Sequence, residues 1–139
     1  MTPSVGPITL SGPGWATSAH CSSVRISEQL SSPFLYDVEL ISETAALSAV
    51  EALGDELTIA LEVGSQKRYF SGIVASLQSA GKQGENYVYR LRLRPWLWLL
   101  SRHTDCRIFQ GKKVLDIVTT VCKDRGFDAI EPKLSRTDY

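Results

Sequence analysis

The run Phe34-Leu35-Tyr36-Asp37-Val38-Glu39-Leu40 constrains the fold of this chain more than any other segment. Side chains of a strand alternate between two faces, so Phe34, Tyr36, Val38 and Leu40 share one face while Asp37 and Glu39 leave by the other. A strand of this kind is half buried and belongs in an antiparallel sheet with neighbours of the same alternation. The chain supplies them. Leu57, Ile59, Leu61 and Val63 alternate with polar or small residues, Gly64-Ser65-Gln66-Lys67 reads as a turn, and residues 68–77 read as the returning arm of a hairpin. Residues 87–94 place Tyr87, Tyr89, Leu91 and Leu93 on one face and Val88, Arg90, Arg92 and Arg94 on the other. A further strand is expected over residues 21–26, with Val24 and Ile26 on one face. Pro33 stands just before the Phe34 strand, where a missing N–H does little harm. Gly72 interrupts the arm 68–77, which predicts a bulge or sharp bend there. The expected fold class is therefore mainly β with a helical extension (α+β), built on a small antiparallel β-barrel or sandwich.

Less regular segments surround these strands. Pro3, Gly6, Pro7, Gly12 and Pro13 make residues 1–19 an expected irregular lead-in, with one short strand around residues 8–10. Residues 47–53 read as a short helix ended by Gly54. Residues 79–86, with Gly81 and Gly84, read as a polar loop. Pro95 suits the first position of a helical turn. Trp96 and Trp98 lie among Leu97, Leu99 and Leu100 and read as core, with Trp96 expected to be buried against Leu91 and Leu93. The competing reading makes the two tryptophans a stacking platform beside Arg90, Arg92 and Arg94. Val114, Ile117, Val118, Val121 and Cys122 follow helical spacing, and Gly126 ends that helix. The expected division is an antiparallel barrel over residues 20–100 and a helical extension over residues 101–139.

Composition narrows the function. Fifteen basic and fifteen acidic residues leave no net charge to hold a phosphate backbone, so nucleic acid is not an expected partner. No apolar stretch approaches the roughly 20 residues of a spanning helix, and no secretory signal peptide is evident. Cys21, Cys106 and Cys122 are odd in number and widely spaced, which fits reduced thiols in a cytoplasmic protein better than zinc or redox chemistry. His20 and His103 stand in no metal-ligand spacing. There is no Gly-x-Ser-x-Gly elbow, and Gly111-Lys112-Lys113 lacks the spacing of a phosphate loop. Gly81-Lys82-Gln83-Gly84 has the outline of a KH loop without its flanking helices. No catalytic, metal or cofactor-binding residue is assigned, no cofactor is expected, and an enzyme is the least favoured class. Arg90, Arg92 and Arg94 leave one strand face as three like charges. Two readings stand: a solvated face balanced by Asp37 or Glu39, or a contact surface for carboxylates of another molecule.

Four segments together resemble a known family. They are Leu30-Ser31-Ser32-Pro33-Phe34-Leu35-Tyr36-Asp37-Val38-Glu39-Leu40, then Phe70-Ser71-Gly72-Ile73-Val74. The third, and most specific, is Tyr89-Arg90-Leu91-Arg92-Leu93-Arg94-Pro95-Trp96-Leu97-Trp98-Leu99-Leu100. The fourth is Cys106-Arg107-Ile108-Phe109-Gln110 with the helix from Val114. In order and spacing they resemble the N-terminal part of the VgrG spike proteins of type VI secretion systems, over about residues 20–139. The resemblance implies a hub of two related β-barrels, similar to the baseplate hub of contractile phage tails. It implies a trimeric ring that caps a tube of Hcp-type hexamers and contacts baseplate components, with a β-helical needle beyond it that alone meets the target membrane. It also implies a protein that is cytoplasmic before firing and leaves through the apparatus without a signal peptide. Pro33, Phe34, Tyr36, Gly72, Pro95, Trp96 and Trp98 then take structural roles, and Arg90, Arg92 and Arg94 become candidate interface. The resemblance stops near Tyr139, about where the family continues into its second barrel, so the chain is expected to be an excised or truncated piece. Lys113 stands where the family often has a capping serine. The alternatives are a hub fragment from a contractile phage tail and a small binding module using Trp96 and Trp98.

Overall fold

The alternating segments become a six-stranded antiparallel sheet. The structure is a computed structural model that describes residues 5–44, 47–127 and 130. Its strands are β1 (Val5–Ser11), β2 (Ala19–Gln29), β3 (Ser32–Ser42), β4 (Glu56–Val63), β5 (Gln66–Gln83) and β6 (Asn86–Arg94). Their spatial order is β1-β4-β5-β6-β3-β2. The helices are α1 (Ala49–Ala52), α2 (Leu97–Leu100) and α3 (Val114–Lys123), and a 3-10 turn covers Gly14–Ser18. The described residues fall into two compact units, one running to Trp98 and the other from Leu99 onward. In the first, the edge strands β1 and β2 approach each other but share no hydrogen-bonded ladder. The sheet thus curls toward a barrel with an open seam.

One face of the sheet carries the core. Tyr36, Val38 and Leu40 of β3 stand opposite Leu93, Leu91 and Tyr89 of β6. All six are buried, together with Leu57 and Ile59 of β4 and Phe70 and Val74 of β5. Each such apolar side chain contributes roughly 1.5–3 kcal/mol by leaving water. Phe34 stacks on Tyr36 with ring centroids 4.3 Å apart, and Tyr36 meets the edge of Phe70 at 5.6 Å. The Tyr36 hydroxyl donates to Glu28 Oε1 at 2.6 Å. Burial, reinforced by that carboxylate, pushes the Tyr36 phenol above its ordinary range.

One irregularity keeps the apolar residues of β5 on this face. Phe70 and Val74 are separated by an even number of positions, whereas Leu77 lies an odd number beyond Val74, so a regular strand would turn Leu77 outward. The ladder with β6 shifts between Val74 and Ser76, leaving Ala75 as an extra residue, and Leu77 then stands opposite Leu91. A second shift falls between Ser79 and Gly81, where Gly81 has φ +96°, a conformation glycine adopts without strain. In β2 the ladder with β3 shifts between Cys21 and Ser23, bringing Cys21 opposite Leu40 and Val24 opposite Val38. The first β5 bulge is also where α1's connection attaches. Gly54 N–H donates to the Val74 carbonyl at 3.0 Å, and Val74 N–H donates to the Asp55 carbonyl at 2.9 Å.

Several expectations change. The bulge sits at Ala75 and not at Gly72. Gly72 lies in unbroken pairing opposite Leu57, and its function is space: a Cβ there would stand 3.1 Å from the Arg94 carbonyl oxygen and from Phe34 Cε2, and 3.2 Å from Leu93 Cβ. Residues 79–86 are not a loop. β5 runs to Gln83 and β6 starts at Asn86, so only Gly84 and Glu85 turn the chain. The polar composition of that stretch reflects exposure on both faces of a ribbon. The expected irregular lead-in contains β1, which pairs with β4 and is longer than the short strand foreseen around residues 8–10. The expected helix 47–53 contracts to α1.

Gly72→Ala is expected to lower stability by about 1–3 kcal/mol, as overpacking against backbone does. Gly14→Ala, with nothing within 4 Å of the added carbon, is expected to stay within about 0.5 kcal/mol of the parent. Urea unfolding of both variants measures this, and equal midpoints would show that the Gly72 site has room to spare.

Candidate functional site

The sheet face opposite the core is charged in rows. In one row Arg25 of β2 stands opposite Asp37 of β3, Asp37 opposite Arg92 of β6, and Arg92 opposite Ser76 of β5. In the next, Ser23, Glu39, Arg90 and Gln78 follow the same order. Arg92 Nε donates to Asp37 Oδ1 at 3.2 Å and Arg90 Nε to Glu39 Oε2 at 3.4 Å. Ser22 Oγ adds a hydrogen bond to Glu39 Oε1 at 3.2 Å. These residues line a shallow groove of about 550 Å³. Both arginines remain open to solvent, with side chains 69% and 63% exposed for Arg90 and Arg92. Arg25 is exposed and forms no ion pair among the described residues.

The expected arginine stripe therefore divides. Arg90 and Arg92 acquire the carboxylates named for the solvated reading. Arg94 instead places its guanidinium carbon 5.4 Å from the centre of the Trp98 ring. Trp96 corrects the sequence reading: it is 39% exposed and is not part of the buried cluster around Leu91 and Leu93. The strand ends at Arg94 and the backbone turns at Pro95, whose carbonyl accepts from Trp98 N–H at 2.9 Å, so Trp96 leaves the sheet's alternation. Trp98 is partly buried. Pro33 is the second residue of β3, beside the partly buried Phe34 and the buried Tyr36. Sequence reasoning passed over Trp15, whose Nε1 donates to Asp55 Oδ2 at 2.9 Å and fastens the 3-10 turn to the start of β4. It also passed over Arg25, although Ser23, Arg25 and Ser27 alternate with Val24 and Ile26 and so mark an outward face.

The second unit has its own polar cluster. Arg107 contacts Asp105 at 2.7 Å and Asp124 at 2.5 Å, and Arg125 contacts Asp105 at 3.4 Å and His103 Nδ1 at 3.3 Å. The Arg107 hydrogen bond holds the Asp105 carboxyl below its usual range, and the two carboxylates raise Arg107 in turn. α3 starts after Lys113 without a side-chain cap, and its Cys122 is buried while Val114 and Val118 are exposed. The three cysteines are free thiols. Cys21 lies within β2, where burial pushes its thiol up to about 11. His20 lies on β2 and His103 in the second unit. Among the described residues no cluster of histidine, cysteine or carboxylate side chains is arranged to hold a metal ion.

The charge rows are a surface feature and carry modest energy. A double-mutant cycle on Arg92→Ala and Asp37→Ala is expected to give a coupling of about 0.2–1 kcal/mol, reduced at 1 M salt. A salt-insensitive coupling above about 2 kcal/mol would place this pair in a buried, structural role.

Residues 27–139 match the family described as the phage tail baseplate hub (GPD). The chain is 46% identical over 111 residues to the type VI secretion system spike protein VgrG1b of Pseudomonas aeruginosa, and 45% identical over 111 residues to VgrG1c of the same organism. Each alignment covers 79% of this chain and 15% of the relative, so the chain spans about one-seventh of the length of these proteins. Among solved structures, the Escherichia coli c3393 protein superimposes with a TM-score of 0.66 at 23% identity, covering 84% of this chain and 32% of that one. That protein is described as a component of the type VI secretion system with structural similarity to the T4 bacteriophage tail proteins gp27 and gp5. At this identity the likeness concerns the fold, and it agrees with the mainly antiparallel sheet described above. The relatives are described as spike and hub proteins. With a hub match covering residues 27–139 and a barrel-like sheet of hub type, the chain belongs to the phage tail baseplate hub (GPD) family.

Proposed function

We propose that this chain is the N-terminal part of the hub of a type VI secretion spike, acting as structural wall within a trimeric ring that caps the secretion tube. The observation that carries the reading is the 46% identity to a secretion-system spike protein over 79% of the chain. The physics agrees with such a role. The first unit encloses an apolar core, while its outer face offers ordered charge and, among the described residues, no cluster arranged to hold a metal ion. On this reading the ring's partners are further copies of the chain's parent, an Hcp-type tube protein and baseplate components. The parent would reside in the cytoplasm before firing and leave through the apparatus. Among the described residues no helix is long and apolar enough to cross a membrane, and any passage through a target membrane would belong to a needle outside this chain. A hub from a contractile phage tail is the second reading, supported by the family description. The identity to spike proteins favours the first.

The test is a chimera. This chain replaces the aligned residues of VgrG1b in a strain lacking the native spike, and the tube protein released into the medium is measured by immunoblot. Release at no less than about a tenth of the native level is expected. A chimera that accumulates at native levels as a trimer yet releases no tube protein would refute the reading.

A further inference from the structure

The charge rows are incompletely used by the chain itself. Arg90 and Arg92 each spend the Nε position on one carboxylate oxygen, at 3.4 and 3.2 Å. A guanidinium has five donors in a planar fork, so the outer Nη edges of both remain available to solvent-side acceptors. Arg25, at the edge strand β2, stands opposite Asp37 and forms no ion pair among the described residues. The groove thus contains three guanidinium groups against two carboxylates, and the surplus donors face outward. Its walls add Ser23, Ser76 and Gln78, which accept and donate hydrogen bonds without charge.

We infer that this groove binds an extended acidic protein segment with carboxylates at alternate positions. Arg90 and Arg92 are two residues apart on one strand, so their Cα atoms are spaced by roughly 6.8 Å, which is also the spacing of residues i and i+2 in an extended peptide. A Glu-x-Glu or Asp-x-Asp segment lying along β6 presents one carboxylate to each fork, and Arg25 extends the contact toward the sheet edge. A polyphosphate backbone fits less well, because Asp37 and Glu39 lie between the arginine columns and repel a continuous line of negative charge. A second copy of this chain paired edge to edge along β2 also fits less well. With the outward faces aligned, the outward residues near Arg25 are Ser23, Ser27 and Arg25 itself, none of them acidic. The inference extends the hub reading, but it rests on this face alone and is tested apart from it.

The probe is the synthetic peptide acetyl-Thr-Glu-Thr-Glu-Thr-amide, titrated into the chain at low ionic strength while the arginine Nε–H signals are followed by NMR. Saturating shifts are expected at Arg25, Arg90 and Arg92. The Gln-for-Glu peptide is expected to bind at least tenfold more weakly. Arg25→Gln, which breaks no ion pair within the chain, is expected to weaken the Glu peptide about threefold or more with an unchanged unfolding midpoint. Combining it with Arg92→Gln is expected to weaken binding at least tenfold. Three results would each overturn the inference: shifts absent from these arginines, equal binding of the two peptides, or tighter binding of a dT oligonucleotide of matched charge. The last would identify a nucleic-acid surface instead.

Discussion

Next to the edge strand β2, β3 and β6 pair without interruption from Tyr36–Leu93 to Ser42–Tyr87, and the first unit is arranged around that ladder. Its inward positions supply Tyr36, Val38, Leu40, Tyr89, Leu91 and Leu93 to the core, and its outward positions supply both ion pairs of the charged face. Because strand faces repeat every two residues, a slip of one residue would expose the first set and bury the second. The apolar core and the charge rows therefore fix the register jointly. Even Ser42, the one buried polar residue among the described residues, is accommodated: its Oγ donates to the Ser18 carbonyl at 3.0 Å and lies 3.3 Å from Thr44 Oγ1.

The flanking strands follow this ladder only because they break their own regularity. β5 is long and passes from β4 to β6, and the extra residue at Ala75 restores Leu77 to the core after Val74. The backbone groups of Val74 are occupied by Gly54 and Asp55, and Asp55 is in turn held by Trp15. A chain of contacts thus connects the 3-10 turn, the start of β4 and the bulge. Curling and bulging are one phenomenon here, since a bulge increases local twist and lets a sheet close on itself.

Much of this was legible in the chain. The strands around Phe34–Leu40, Leu57–Val63 and Tyr87–Leu93 announced themselves because one face is apolar and the other is not. The ribbon over residues 79–86 did not, since Lys82 and its neighbours are exposed on both faces and carry no alternation; its order comes from the ladder with β6 and from Lys82 over the Tyr87 ring, 4.4 Å away. Gly72 reads in the sequence as a bulge, but a sequence does not separate a glycine needed for close approach from one needed for a bulge. Trp96 was misplaced because an apolar cluster following Pro95 was read as continuing the core, whereas the chain leaves the sheet at that proline. The pairs of Arg90 with Glu39 and Arg92 with Asp37 were foreseeable by residue type, while their register had to come from three dimensions. The resemblance to a spike family rested on motif order that alternation alone does not generate.

If the β3–β6 ladder organises the first unit, its amides open only when the whole unit unfolds. Native-state hydrogen exchange followed by NMR measures this residue by residue. The account predicts that the slowest amides lie between Tyr36 and Leu40 and between Tyr89 and Leu93, with opening free energies equal to that of global unfolding and those of β1 clearly lower. Protection in β1 equal to or above that of the β3–β6 pair would contradict it.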